Sequence, residues 1–317
     1  MSETEAKRST VIDILRVIGL ILVISAHCGF SSWFTNIRDF DVVLLMFVSG
    51  VSFSLTYHEN GSYLEYVKKR FRRLIVPVWI FLTVFFLFSF LINKPFTWKE
   101  IIESYLLLAG GVLFVWVYRV FFTSALLNPF LIKLCKKADT VILTISTVIV
   151  FSLNDLLSEY VFIPMGSIGK LLQYLITYTI AYGLISFIGM VFHKADRTGR
   201  IIITVIFIVV FGVTGVFLKY PAFYDCKYPP ILYYCSYGLT WSGILYILFE
   251  HCSLQGTLEM IVTWCSAHTM DIFMWHILAF YLMEWFNPSL LNRPWLDLLI
   301  LLGGGIIGAF LQSRIQS

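Results

Sequence analysis

Two residues that could do chemistry stand close together in an apolar stretch near the start of the chain. Arg16 and His27 are separated by ten residues, and eleven helical steps of about 100° return to nearly the same face. A helix through both would stack guanidinium and imidazole on one stripe, about 16 Å apart. An imidazole in a membrane-type segment is rare and suited to proton transfer, which makes His27 the candidate catalytic residue. Asp13 lies three residues before Arg16, placed for an ion pair that would fix the guanidinium. For Asp13 and Arg16 alone, an arginine snorkelling to an interface fits equally well.

A second set of candidates is basic. The run Tyr66–Pro77 holds Lys68, Lys69, Arg70, Arg72 and Arg73. It reads first as a positive-inside signal beside anionic lipid. Arg70 and Arg73 also share a helical face and could hold phosphate bidentately, although Lys69 and Arg72 form a rival pair. Ser49, beside Gly50, and Arg119 are possible supporting donors for an oxyanion. Close helix packing is the default for Ser49-Gly50. Arg119 needs the bundle interior, with Glu103 or Glu250 as counter-ion. His276 is a further intramembrane imidazole, five residues after Asp271, for which a helix-packing hydrogen bond is the simpler role. His58 sits at a loop edge, where a solvated histidine needs no special function.

The elements that must position these residues follow from composition. Of 317 residues, 59% are hydrophobic and 13% charged, against about 25% charged in a soluble domain. Mean hydropathy is +0.83. The fold class expected is all-α, a polytopic integral membrane helical bundle. At about 20 residues per pass, ten spans are read near 10–30, 40–57, 74–93, 103–131, 140–157, 171–192, 201–218, 231–250, 267–286 and 295–312. The fourth carries a turn near Gly110-Gly111, and Asn154 and Asp155 shorten the fifth. With ten spans the basic runs Lys7-Arg8, Lys68–Arg73, Lys133–Lys137 and Lys194–Arg200 fall on the side of the N-terminus. That bias favours cytoplasmic termini. The charge of +4 is too small to argue for nucleic acid. The six cysteines show no metal-ligand spacing, with Cys226–Cys235 the only disulfide worth considering. Zinc-protease, phosphate-loop and serine-elbow signatures are absent, and no metal site is read. The first span is not expected to be a cleaved signal, and residues 1–317 are expected to form a single membrane domain.

Taken in order, these residues resemble the membrane-bound acyltransferase-3 family. Ile12-Asp-Ile-Leu-Arg16 followed by His27 looks like its opening signature. Phe47-Val-Ser-Gly50, Arg70-x-x-Arg73 with Pro77, Leu127-Asn-Pro129 and Asp271–His276 look like later landmarks. The resemblance implies a multi-pass enzyme of the plasma or inner membrane. It would move an acyl group from cytoplasmic acyl-CoA, acetyl-CoA by default, to a hydroxyl of an extracytoplasmic glycan or lipid-linked saccharide. Acyl-CoA is then a donor substrate, with no permanently bound cofactor, and membrane lipid surrounds the bundle. His27 would be catalytic, with Arg16, Arg70 and Arg73 serving donor binding or acyl passage, and Asp13 supporting Arg16. His27 would act as general base, an acyl-histidine route being the less favoured variant. Some members append an extracytoplasmic hydrolase-like domain; none is expected here. The rivals are a polytopic transporter or flippase, and a polysaccharide polymerase of the cell envelope.

Overall fold

The structure, a computed structural model, describes residues 9–57, 62–291 and 293–316; Lys7, Arg8 and His58 lie outside them. Helices follow in the order α1 (Thr10–Ser25), α2 (Ser32–Arg38), α3 (Asp41–Thr56), α4 (Tyr63–Leu74), α5 (Val76–Leu91), α6 (Trp98–Tyr105), α7 (Trp116–Cys135) and α8 (Thr140–Leu156). They continue with α9 (Gly166–Leu172), α10 (Tyr178–Lys194), α11 (Arg197–Leu218), α12 (Phe223–Lys227), α13 (Leu232–Phe249), α14 (Gly256–Ala267), α15 (Thr269–Phe286) and α16 (Pro294–Gln316). Among the described residues there is no β-strand.

The all-α membrane bundle is observed. Six helical stretches among the described residues are long and apolar enough to cross a membrane: Ser32–Thr56, Tyr63–Leu91, Val112–Cys135, Thr140–Lys194, Arg197–Leu218 and Pro294–Arg314. The fourth, of 55 residues, exceeds twice the length a single pass needs. It is interrupted at Gly166, whose φ of +62° a side chain would resist.

Three details differ from the sequence reading. Helix α1 stops at Ser25 instead of running to residue 30. Its last turn tightens, with Ala26 N–H donating to the Val23 carbonyl at 3.1 Å. Gly29, at φ +62°, then turns the chain away, so His27 sits in a turn and the helical stacking of Arg16 and His27 does not exist. Helix α14 occupies a stretch read as loop, because its apolar residues are too few for a span. All six cysteines, Cys226 and Cys235 included, are free thiols. The turn at Gly110-Gly111 is present, between α6 and α7.

The chain divides into two compact units. One comprises Met1–Ala26, Phe30–His58 and Leu127–Thr269. Its centre is the pairing of α3 with α10. Gly50 faces the Ser186 backbone so closely that a Cβ would overlap the carbonyl oxygen, and Gly189 faces the Phe47 carbonyl in the same way. Small residues at such crossings let backbones approach where lipid offers no hydrophobic drive. Helices α1 and α13 also pack on α3, α14 packs on α1, and α11 packs on α13. The other unit comprises His27–Gly29, Glu59–Leu126 and Met270–Ser317. There α16 lies on α15, with Gly305 against Ile272 and Gly308 against the Trp275 ring.

The first unit closes one end with four buried charges. Arg38 donates to Asp41 at 2.6 Å, and Lys227 reaches Asp39 at 2.6 Å and Asp41 at 3.3 Å. None is more than 6% exposed. Burial alone would push the Lys227 ammonium down, but Asp41 and Asp39 outweigh it and hold it above the ordinary lysine range. In the sequence, the dense Arg38-Asp-Phe-Asp41 start of an apolar helix is the local signal of this cluster. Removing one partner of a buried pair leaves an uncompensated charge. Lys227→Met is therefore expected to destabilise the protein by about 3–5 kcal/mol. Adding Asp39→Asn should recover part of the loss, as read by denaturation in detergent; a double variant no better than the single one contradicts the pairing.

Candidate functional site

The first constellation lies within the first unit and is built on Arg16. The guanidinium Nη2 donates to Ser52 Oγ of α3 at 2.7 Å, and Nη1 donates to Ser266 Oγ of α14 at 3.4 Å. Each hydroxyl spends its own proton elsewhere. Ser52 donates to the Val48 carbonyl at 2.8 Å, one turn back on α3, and Ser266 donates to Asp13 Oδ1 at 2.5 Å. Both serines are thereby left as acceptors facing Arg16, since a hydroxyl has one proton to give. Ser266 also links Asp13, only 4% exposed, to Arg16. Three helices thus fix one cation that is itself half-buried.

Neither Ser52 nor Ser266 was singled out from the sequence. Ser52 is one turn beyond Ser49, the serine that was chosen, while Ser266 is 250 residues from Arg16 and carries no local signal. Ser49 is half-buried on α3.

The second constellation lies within the second unit. His27 is half-buried, with its ring centroid 4.3 Å from Phe114, 5.5 Å from His276 and 6.0 Å from Phe280. His276 is fully buried, and neither of its nitrogens meets a partner in good hydrogen-bond geometry. Its ring neighbours are those of His27 and Phe273. Of these two adjacent imidazoles, the half-buried one is of the type suited to accept a proton, and the buried one lies beside it as a ring neighbour.

Phe114 reaches His27 by an unusual path. Leu107, Leu113 and Phe114 all have positive φ (55°, 65° and 51°). For residues with a Cβ each such conformation costs on the order of 1–3 kcal/mol and persists where the surroundings over-determine it. Here they do. Ser104 Oγ, fully buried, accepts from Val112 N–H at 2.9 Å and donates to the Glu100 carbonyl at 2.6 Å. Leu108 N–H donates to the Glu103 carbonyl at 2.8 Å. Gly111 lies directly on the backbone of Ser104, with no room for a side chain, and Gly110 faces the Glu103 carboxylate.

Arg119 is buried on α7, 7% exposed. The acids expected beside it are engaged elsewhere: Glu103 with Lys99 at 3.9 Å, and Glu250 with Arg200 at 2.8 Å. On α4, Arg73 is exposed and Arg70 half-buried, the latter stacked over the Tyr66 ring at 5.1 Å. Tyr66 is itself oriented by a hydrogen bond to the Ala125 carbonyl at 2.8 Å. That carbonyl is free because Pro129, four residues on within α7, has no N–H to donate. Beside α5 and α15 runs an open apolar groove of about 450 Å³, whose polar end is Gln312, hydrogen-bonded to Trp275 and Asp271. Among the described residues no group of three His, Cys, Asp or Glu side chains is placed to hold a metal ion.

A family model described as an acyltransferase domain, that of the acyltransferase-3 family, matches residues 10–314. Comparison with curated proteins and with solved structures gives no match.

The serine contacts are open to a direct measurement. Ser266→Ala leaves buried Asp13 without that donor and is expected to lower stability by about 1–3 kcal/mol. Ser52→Thr keeps both the acceptor and the bond to Val48, and should stay within about 0.5 kcal/mol of the parent. Equilibrium unfolding in detergent reads both, and equal effects of the two would refute the roles given to the hydroxyls.

Proposed function

Since the chain belongs to the acyltransferase-3 family and is a multi-pass membrane acyltransferase, we propose that it is an O-acyltransferase of the cell envelope. It takes an acyl group, acetyl in the first instance, from cytoplasmic acyl-CoA and esterifies a hydroxyl of an extracytoplasmic or lipid-linked glycan. The observation that carries this reading is the half-buried His27 imidazole beside His276, within a chain matched to an acyltransferase over almost its whole length. Ten spans with both termini cytoplasmic, supported by the distribution of basic residues, put the donor-binding arginines on the side where acyl-CoA is made. The whole chain acts as one catalytic domain.

The chemistry needs few groups. Neutral His27 takes the proton of the acceptor hydroxyl as its oxygen attacks the thioester carbonyl. The carbon–sulfur bond breaks, and the proton passes to the departing thiolate. His276 supports this role as a neighbouring imidazole. Arg70 and Arg73 offer cations to the polyphosphate end of CoA. Arg16, fixed by two hydroxyls, can neutralise charge along the path of the acyl group, and Ser49 and Arg119 remain candidate oxyanion donors.

His27→Ala is expected to lower acyl transfer by about 10²–10⁴-fold at unchanged protein level. Mass analysis of envelope glycans from cells carrying either form checks it, and near-normal acylation by the variant removes His27 from the mechanism. Arg70→Ala and Arg73→Ala should raise KM for acyl-CoA more than they lower kcat, with the wild-type affinity weakening as salt is added. An unchanged KM in both variants assigns the donor phosphates elsewhere.

A further inference from the structure

Phe114 is difficult to explain as packing. Its neighbour Leu113 is 4% exposed and anchors the turn, whereas Phe114 is 40% exposed. An exposed phenyl on a membrane helix needs no reason beyond lipid contact. Phe114, however, lies in a turn whose left-handed backbone is held in place from α6 by Ser104 and by the close seating of Gly111 on the α6 backbone. Strain of this kind gathers where a side chain must be aimed. The aimed side chain here is a phenyl ring, and its target is the His27 imidazole, 4.3 Å between centroids with the planes tilted by 43°. Phe280 flanks the same imidazole at 6.0 Å. His27 is thus bordered by two hydrocarbon rings and one buried imidazole, and Phe114 carries the exposed edge of that border.

A general base poised for a hydroxyl acceptor cannot by itself tell that hydroxyl from water. Either can lose its proton to His27 and attack the thioester carbonyl. With water, the carbon–sulfur bond breaks to give a carboxylic acid and the proton returns to the CoA thiolate. With the acceptor, the same steps give an ester and CoA thiol. The two branches differ only in which hydroxyl stands at the imidazole, so selectivity depends on keeping solvent away until an acceptor displaces it.

We propose that Phe114 is a specificity-determining residue that covers His27 against water, so that the acyl group is passed to an organic hydroxyl instead of being hydrolysed. This rests on the acyl-transfer reading with His27 as base. The ring shields the imidazole with a non-hydrogen-bonding face, and an acceptor with an apolar ring face can replace water against it at no loss of hydrogen bonds.

The test uses the purified full chain with acetyl-CoA as the only acyl compound and no acceptor, measuring free CoA thiol. Phe114→Ala should release CoA several-fold faster than the wild type. Phe114→Tyr, which keeps the ring, should behave as the wild type. The Phe114→Ala/His27→Ala double variant should fall to the level of His27→Ala. A merely structural role for Phe114 predicts loss of activity in Phe114→Ala, not gain, so release at or below the wild-type rate overturns the proposal. Where Phe114→Ala does not elute as a single folded species, Phe114→Leu is read by the same criterion. The failure of the underlying reading has a separate signature: His27→Ala then releases CoA as fast as the wild type, and the shield falls with it.

Discussion

A charge placed in an apolar bundle must be met by partners of fixed geometry, and helix α3 is where the first unit meets that requirement twice. Near its start Asp41 receives Arg38 and Lys227; about three turns on, Ser52 receives Arg16. Both ends depend on how α3 lies on α10, and that crossing is set by Gly50 and Gly189, where nothing larger than hydrogen fits. A shift along this crossing would move both partner sets together. The packing of two small residues therefore sustains both charge constellations on α3, although neither glycine touches a charge.

In the second unit the corresponding constraint is backbone geometry. The turn between α6 and α7 is held in conformations that Leu107, Leu113 and Phe114 would not adopt alone. It is stabilised by one buried hydroxyl, Ser104, acting as both donor and acceptor. The histidine pair and the phenyl ring that meets it come from separate segments, residues 27, 114 and 276. Their convergence requires the fold and is not a property of any one helix.

The fold class was legible in the sequence because apolar length and charge scarcity are averages, insensitive to detail. Helices occupy most of each predicted segment, and Gly110-Gly111 marked a true turn. The site was legible only in part. His27 and Arg16 stood out by type. Their supposed helical relation did not survive, because a tightened last turn and Gly29 end α1 early; that glycine, followed by Ser31 and Ser32, was the helix-end signal available. Ser52 and Ser266 were invisible because serine in a membrane helix usually bonds its own preceding turn. That is true of Ser52 as well; what the sequence lacks is the arginine brought to its remaining lone pairs. His276 was read as a packing residue since its neighbour, His27, is remote in the chain. The charged cluster joins Lys227 to Asp39 and Asp41 across 188 and 186 positions, a convergence that the sequence does not display.

The freed carbonyl of Ala125 carries a consequence for sequence drift. Pro129 withholds a donor, Tyr66 supplies one from another helix, and the same ring lies under Arg70. An imino acid in one helix thus sets the rotamer of a tyrosine in another and, through it, the posture of a cation. Replacement of Pro129 by a residue with an amide hydrogen would give that carbonyl a second donor, which its two lone pairs can accept, as the Leu126 carbonyl accepts from Tyr63 one residue further on. The imino acid thus makes the phenol necessary at a spot where an ordinary residue would leave it optional, and with the phenol comes that perch for the arginine.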